Sequence, residues 1–599
     1  MATVLTEQPT SESFGDSRLW NGAAPRRLVE KWSAADAARR WNLWQRHLAR
    51  RKRPRRPPFL AGKRPPVIWC WPAGDERDQM VAFFDSLSAQ PDFAFGRGSD
   101  GNEPFHALEA VATAYALPDM AAILPANSWW DLIESLHELA RDAQASTIDD
   151  MADPRQILRH QLLAGELPLT LSYLFPELAP LERLAKPARN VLSTTIVAET
   201  DGRGGLHARL LPVFGLLLAC WTRSRWLGAR LKRGCWSRAA ETQYRWLIRR
   251  ALQLADGRRR FLTSVDPSEA DSRDVGDLLA VAIKLAGDTA DCGAAAVAVS
   301  PSIVPQRVKV SDDDLPKASF HSEWGGLAVL ASGWSKSAPR LVVAFADDPP
   351  SLELRVGGRQ ILAGSMTMET TCDGRPVTPV GNWEEVCWQS DEDCDYLELG
   401  IDLSDGLALE RQILLAKQDA VLYVADIIVA GGRTPHQLQH TLGLPLGQGT
   451  TWRLEKETRD GVLAAGKQRI AVLPLALHEW RSDPRGGRLE AADGRLTLTQ
   501  EATGAALACP LMFDLNSSRS NRERSWRQLT IAESLQVVPR DMAVGFRAQS
   551  GRDQWLFYRS LGPAGNRTLI GQNFSGEFVA GRFLATGECD EWIEIEATV

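Results

Sequence analysis

The spacing of apolar positions divides the chain into two parts. From Val67 to Leu285 they recur three and four residues apart, in segments such as HALEAVATAYAL, WWDLIESLHELARDA, PARNVLSTTIVAET, LLPVFGLLLACWTRSRWLGARL and AAETQYRWLIRRALQLA. Such spacing lines one face of a helix, and each segment stops near Gly, Pro or Asp. Successive helices with short connections must bury their apolar stripes on one another. That predicts an α/α toroid-like helical domain over residues 67–298.

Near residue 300 the period shortens. GGLAVLASGW, RLVVAFAD, SLELRVGGRQILAG, DYLELGIDL, LALERQILLA and AVLYVADIIV are short, aliphatic or β-branched, and separated by Gly, Asp and Pro. GVLAAGKQRIAVLPL, GRLTLTQ, QWLFYRSL and GRFLATG continue the pattern. These strand-and-turn units predict stacked antiparallel sheets, a β-sandwich over residues 299–599. No propeller-type repeat recurs. The predicted fold class is multidomain, α then β.

Residues 1–66 follow neither pattern. The stretch RRLVEKWSAADAARRWNLWQRHLARRKRPRRPP places Trp32, Trp41 and Trp44 among Leu28, Leu43 and Leu48, as in an amphipathic basic helix that stops at Pro54. The run Arg50, Arg51, Lys52 and Arg53 reads as part of a solvated N-terminal arm, with contact to an anionic polymer or lipid as the alternative.

Composition narrows the function. A net charge of −6 over 599 residues argues against a nucleic-acid binder, which needs a broad basic face. The 21 tryptophans suit core packing first and stacking on sugar rings second. Nine cysteines without a C-x-x-C pair form neither a disulfide framework nor a zinc site, and Cys387 and Cys394 read as free thiols. The first residues lack a basic start followed by an apolar run, and Leu210 to Trp221 is too short to span a bilayer. The expectation is a reducing cytoplasm, with a periplasmic or secreted location as the alternative.

Phosphate-loop, dinucleotide, zinc-protease and serine-hydrolase motifs are absent from the sequence. The acidic groups at Asp312, Asp313 and Asp314, and at Asp391, Glu392, Asp393 and Asp395, read as solvated loops.

The strand region is more informative. FHSEWGGLAVLASGW, APRLVVAFADDPPSLELRVGGRQIL, LERQILLAKQDAVLYVADIIV and PHQLQHTLGLPL, over residues 320–446, resemble the C-terminal sheet domain of the heparinase II/III family in order and spacing. There a strand ending in Ser-Gly-Trp precedes an H-A-D-x-x-S-F-E-L segment and then G-G-R-P-L-L. Upstream, AETDGRGGLHARLLPVFG resembles the family's D-G-x-x-x-E-x-S-P-x-Y helix start. The resemblance implies a polysaccharide lyase architecture, an α/α toroid followed by a β-sandwich, and recognition of an acidic, uronate-containing polysaccharide.

The departures fall on the chemistry. Asp348, Ser351, Glu353 and Leu354 match the H-A-D-x-x-S-F-E-L pattern, but its histidine falls on Ala346. The helix tyrosine falls on Phe214, after Pro212 and Val213, and the acidic residue of that helix on Arg209. β-Elimination removes a weakly acidic proton beside a uronate carboxylate. It needs that carboxylate neutralised, a base, and an acid for the leaving oxygen. Neither alanine nor phenylalanine carries a proton.

The resemblance leaves His207, His160 and Gln161 as substitute catalytic groups, and Arg209, Asp348, Arg411 and His440 as substrate-binding groups. Each also has a plainer reading: His207 as a helix cap, His160 and Gln161 on an ordinary helix face, and Arg411 paired with an acidic group in the sheet. Tyr244 reads as core. His436 and His440 share one face if PHQLQHTL is a strand, which is half a metal site. With no third ligand evident they read as structural. No cofactor is implied, and a structural divalent metal stays open. The alternative function is a non-catalytic carbohydrate-binding or scaffold protein of surface-polysaccharide metabolism.

Overall fold

The structure, a computed structural model, describes residues 18–52, 54–55, 57, 103–149, 152–257, 260–262, 274–305, 315–432, 434–482 and 486–596. The helical pattern expected over residues 67–102 and the Asp312–Asp314 loop lie outside the described residues. The chain divides into two compact units, Met1–Phe261 with Pro267–Ser311, and Leu262–Asp266 with Asp312–Val599. The first is helical and the second is built of antiparallel sheets, the α-then-β order that the periods predict.

In the helical unit the predicted segments form helices Glu103–Met120, Ala126–Ala145, Ala179–Ala198, Phe214–Gly228 and Arg238–Leu254. Side-chain caps start two helices of the unit: the Ser237 hydroxyl accepts from Ala240 N on Arg238–Leu254, and Asp288 with Asp291 forms a capping box on Thr289–Ala298. Helix Pro154–His160 runs into a fully buried π-helical turn, Gln161–Glu166, and on into Leu167–Leu174. Glu166 in that turn receives two hydrogen bonds from Arg223, at 2.6 and 2.8 Å, and both side chains are buried.

The basic stretch read as an amphipathic helix belongs to this unit. It forms two helices, Arg26–Ser33 and Ala37–Arg50, the second capped by Asp36. Trp20, Trp32 and Trp44 pack with Trp129, Trp130 and Phe175 at centroid distances of 5.0–6.4 Å. His47 and Arg51 both reach Glu177, at 2.8 and 3.1 Å. Each indole buries roughly 150–250 Å², which outweighs the solvation of a basic surface whose arginines stay wet or paired.

In the sheet unit an eight-stranded antiparallel sheet is covered on both faces. This is why AVLYVADIIV reads as an unbroken apolar run rather than an alternation. In strand Val421–Ala430, Leu422, Val424 and Ile428 face one core, and Val421, Tyr423, Ala425 and Ile427 the other. The first core is shared with two five-stranded sheets, one of which contains His436–Pro445. The second core is shared with the sheet that includes Ala543–Ser550 and Asp553–Ser560.

Candidate functional site

The sequence-predicted residues fall into one group in each unit. In the helical unit, Pro154–His160 packs against the 3-10 turn Ala208–Val213, so His160, His207 and Arg209 lie on adjoining elements. His207 caps that turn, its Nδ1 accepting from Arg209 N at 3.3 Å. Arg209 forms a two-pronged ion pair with Glu199, 2.8 Å on each oxygen, and donates to Ala152 O. Burial lowers the pKa of His160, against the carbonyls of Ala143 and Ser146, and its Nε2 has no hydrogen-bond partner among the described residues.

Gln161 is fully buried with both ends of its amide occupied. Nε2 donates to Thr195 Oγ1 at 2.8 Å, and Oε1 accepts from Trp221 Nε1 at 3.0 Å. Phe214 is buried against Phe261, with centroids 4.8 Å apart. Tyr244 is core, its hydroxyl on Thr222 Oγ1 at 2.9 Å. All six tyrosines are described, and five of them are buried; Tyr173, half-buried, donates to Arg55 O at 3.1 Å.

The same unit holds a cavity of about 300 Å³ lined by Arg18, His137, Arg141, Gln144 and Arg183 together with apolar groups. Three guanidinium groups and no carboxylate line it, a composition that suits an anion.

In the sheet unit Arg411 and His440 meet at Asp426. Arg411 binds both Asp426 oxygens at 2.7 Å and lies over the Trp383 ring at 4.7 Å. His440 Nε2 meets Asp426 Oδ2 at 2.9 Å, and its Nδ1 meets Thr370 Oγ1 at 2.8 Å. Burial opposes ionisation of Asp426, but Arg411 and the His440 hydrogen bond outweigh it and hold the carboxyl well below its usual range. Arg411, Asp426 and His440 are shut off from solvent. A substrate cannot reach them without opening the core, so their visible role is to join two sheets. Asp348 is exposed and accepts from Trp383 Nε1 at 3.2 Å, which ties it to the rim of this network.

One pair was missed in the sequence. His321 stacks on Trp388, with centroids 4.7 Å apart and planes 19° apart, and its Nε2 meets Glu385 Oε1 at 3.2 Å. Both residues of the pair are partly exposed. His321 lies in strand Phe320–Ser322, directly before the turn that ends at Gly326. That turn abuts Ala346: Phe345 N donates to Gly326 O at 2.8 Å, and a Cβ on Gly326 would come within 2.6 Å of the Ala346 Cβ. The turn that follows His321 therefore abuts the position where the family pattern has its histidine. The 64 residues separating His321 from Glu385 hid the pair.

No family model and no curated protein matches the sequence. Among solved structures the chain is similar to heparan sulfate lyase HepC from Pedobacter heparinus, at 13% identity and TM-score 0.56, covering 92% of this chain and 99% of that one. It is also similar to heparinase III, at 9% identity and TM-score 0.60, covering 91% of this chain and 99% of that one. The chain therefore shares the fold of these two structures, helical and then β, along nearly its whole length. At such identities the likeness defines the fold.

Proposed function

We propose that this protein binds an acidic, uronate-containing polysaccharide on a heparinase-like scaffold, without efficient β-elimination. The observation that carries the reading is the full-length likeness to heparan sulfate lyases, and the arginine-lined cavity supports it. The missing step is proton transfer. Alanine stands where the pattern has its histidine, phenylalanine stands where it has its tyrosine, and five of the six phenols are buried in cores. Binding of glycosaminoglycans and alginate, measured by calorimetry alongside ultraviolet detection of unsaturated product, tests it. Affinity without product supports the reading; the absence of affinity for any polyanion contradicts it.

A second reading rests on one specific observation, the His321–Glu385 pair, its histidine on the strand whose following turn abuts Ala346. In it the imidazole takes over proton transfer, oriented by the carboxylate and the Trp388 face. Product formation abolished in His321→Ala would favour it over the first. The proposed location is the cytoplasm, where a free-thiol protein would meet a surface polymer during its assembly; the eight described cysteines are free. Cell fractionation checks this.

A further inference from the structure

A group of side chains outside the sites above has the donor set of a transition-metal centre. Strand Thr367–Cys372 ends in a two-residue turn, Asp373 and Gly374, both at positive φ (51° and 75°), and returns as Arg375–Val377. Asp-Gly is the residue pair that such a turn prefers. Strand His436–Pro445 pairs antiparallel with Thr367–Cys372, with Leu438 opposite Cys372. The turn carboxylate is fixed across this pairing: Gln437 N donates to Asp373 Oδ1 at 2.8 Å, and His436 Nδ1 meets Asp373 Oδ2 at 2.9 Å. One ligand atom each from Cys372, Asp373 and His436 lies within 4.8 Å of the others.

We propose that Cys372, Asp373 and His436 bind one divalent transition cation of the zinc class, leaving a fourth position open to water. Thiolate, imidazole and carboxylate are the ligands zinc takes, at roughly 2.0–2.3 Å, which places neighbouring ligand atoms about 3.3–3.8 Å apart in a tetrahedron. The present spacing reaches that by side-chain rotation, because the backbone is held by the turn and the strand pair. Binding expels the Cys372 thiol proton to solvent, and the cation takes over the contact that now joins His436 to Asp373. Asp405, in the turn Ser404–Gly406, adds negative charge to this corner, and Arg375 opposes it. His436 and His440 do not share a metal. Four residues along a strand span about 13 Å, and His440 is held by Asp426 and Thr370.

The test is titration of the full chain with cobalt(II) and with zinc(II), each metal alone. One equivalent of cobalt should bring up thiolate-to-metal charge-transfer absorption in the near ultraviolet. Zinc should displace it and raise the Tm. Cys372→Ser should abolish the charge-transfer band, and His436→Gln, at a partly exposed position, should weaken cobalt affinity at least tenfold while leaving the metal-free Tm unchanged. The proposal is overturned if wild type shows no charge-transfer band at tenfold excess cobalt, or if the band persists in Cys372→Ser. In the latter case another thiol is the ligand.

Discussion

Arg411 and Asp426 stand directly opposite each other on neighbouring strands, joined by two 2.7 Å hydrogen bonds, and His440 closes on the same carboxylate from the facing sheet. The pair is inaccessible to solvent, so removing one partner strands a charge in the core. Asp426→Asn should cost about 3–5 kcal/mol of stability in urea unfolding. A loss under about 1 kcal/mol would show that the network contributes little.

The same carboxyl sets an acid limit. Its folded-state pKa is depressed, so its stabilisation is present above the unfolded value of about 3.9 and is lost as pH falls below that. Stability of the sheet unit should therefore decline below about pH 4, and more gently in Asp426→Asn, which has no such group to protonate. Equal acid slopes for the two proteins would contradict this.

Helix Ala126–Ala145 carries two titrations of opposite sign. Burial, with Asp131 and Glu138 nearby, pushes Glu134 up to about 7; burial, with Arg141 nearby, pushes His137 down to about 4. Glu134 holds its proton more tightly in the folded state, so its contribution to stability is lost as pH rises from about 4 to 7. His137 is protonated more readily in the unfolded chain, so its contribution is lost as pH falls from about 6.5 to 4. Glu134→Gln should raise the Tm at pH 8 relative to the parent, with a smaller effect at pH 4. The same gain at both pH values would refute the assignment.

Trp44 is fully buried among Trp20, Trp129, Trp130 and Phe175. Trp44→Ala should cost about 3–5 kcal/mol and open the preceding residues to protease. A free arm would tolerate the change without loss of stability.

The arginine-lined cavity gives a binding prediction. Arg141→Ala combined with Arg183→Ala should weaken binding of a sulfated glycosaminoglycan severalfold and flatten its salt dependence, while the Tm stays unchanged. Unaltered affinity would place the polymer elsewhere.

The halves were legible because burial imposes its period on the residues: AAETQYRWLIRRALQLA has one wet face, whereas AVLYVADIIV has none. The helix of the N-terminal stretch was legible in its spacing, but the partners of its indoles, Trp129, Trp130 and Phe175, lie far along the chain and were not. Gln161 looked available for chemistry because its partners, Thr195 and Trp221, arrive from other helices. His321 with Glu385, and His436 with Cys372 and Asp373, were invisible for the same reason. Strand pairing joins residues that a reading along the chain keeps apart.

The proposed function joins a heparinase-like fold to the loss of its proton carriers. Incubating the pure protein with heparan sulfate, chondroitin sulfate and alginate, and following ultraviolet absorbance of the unsaturated uronate end, tests this most directly. Measurable binding with a flat trace is the expected result. A sustained rise in absorbance, absent from a heat-unfolded control, would contradict it.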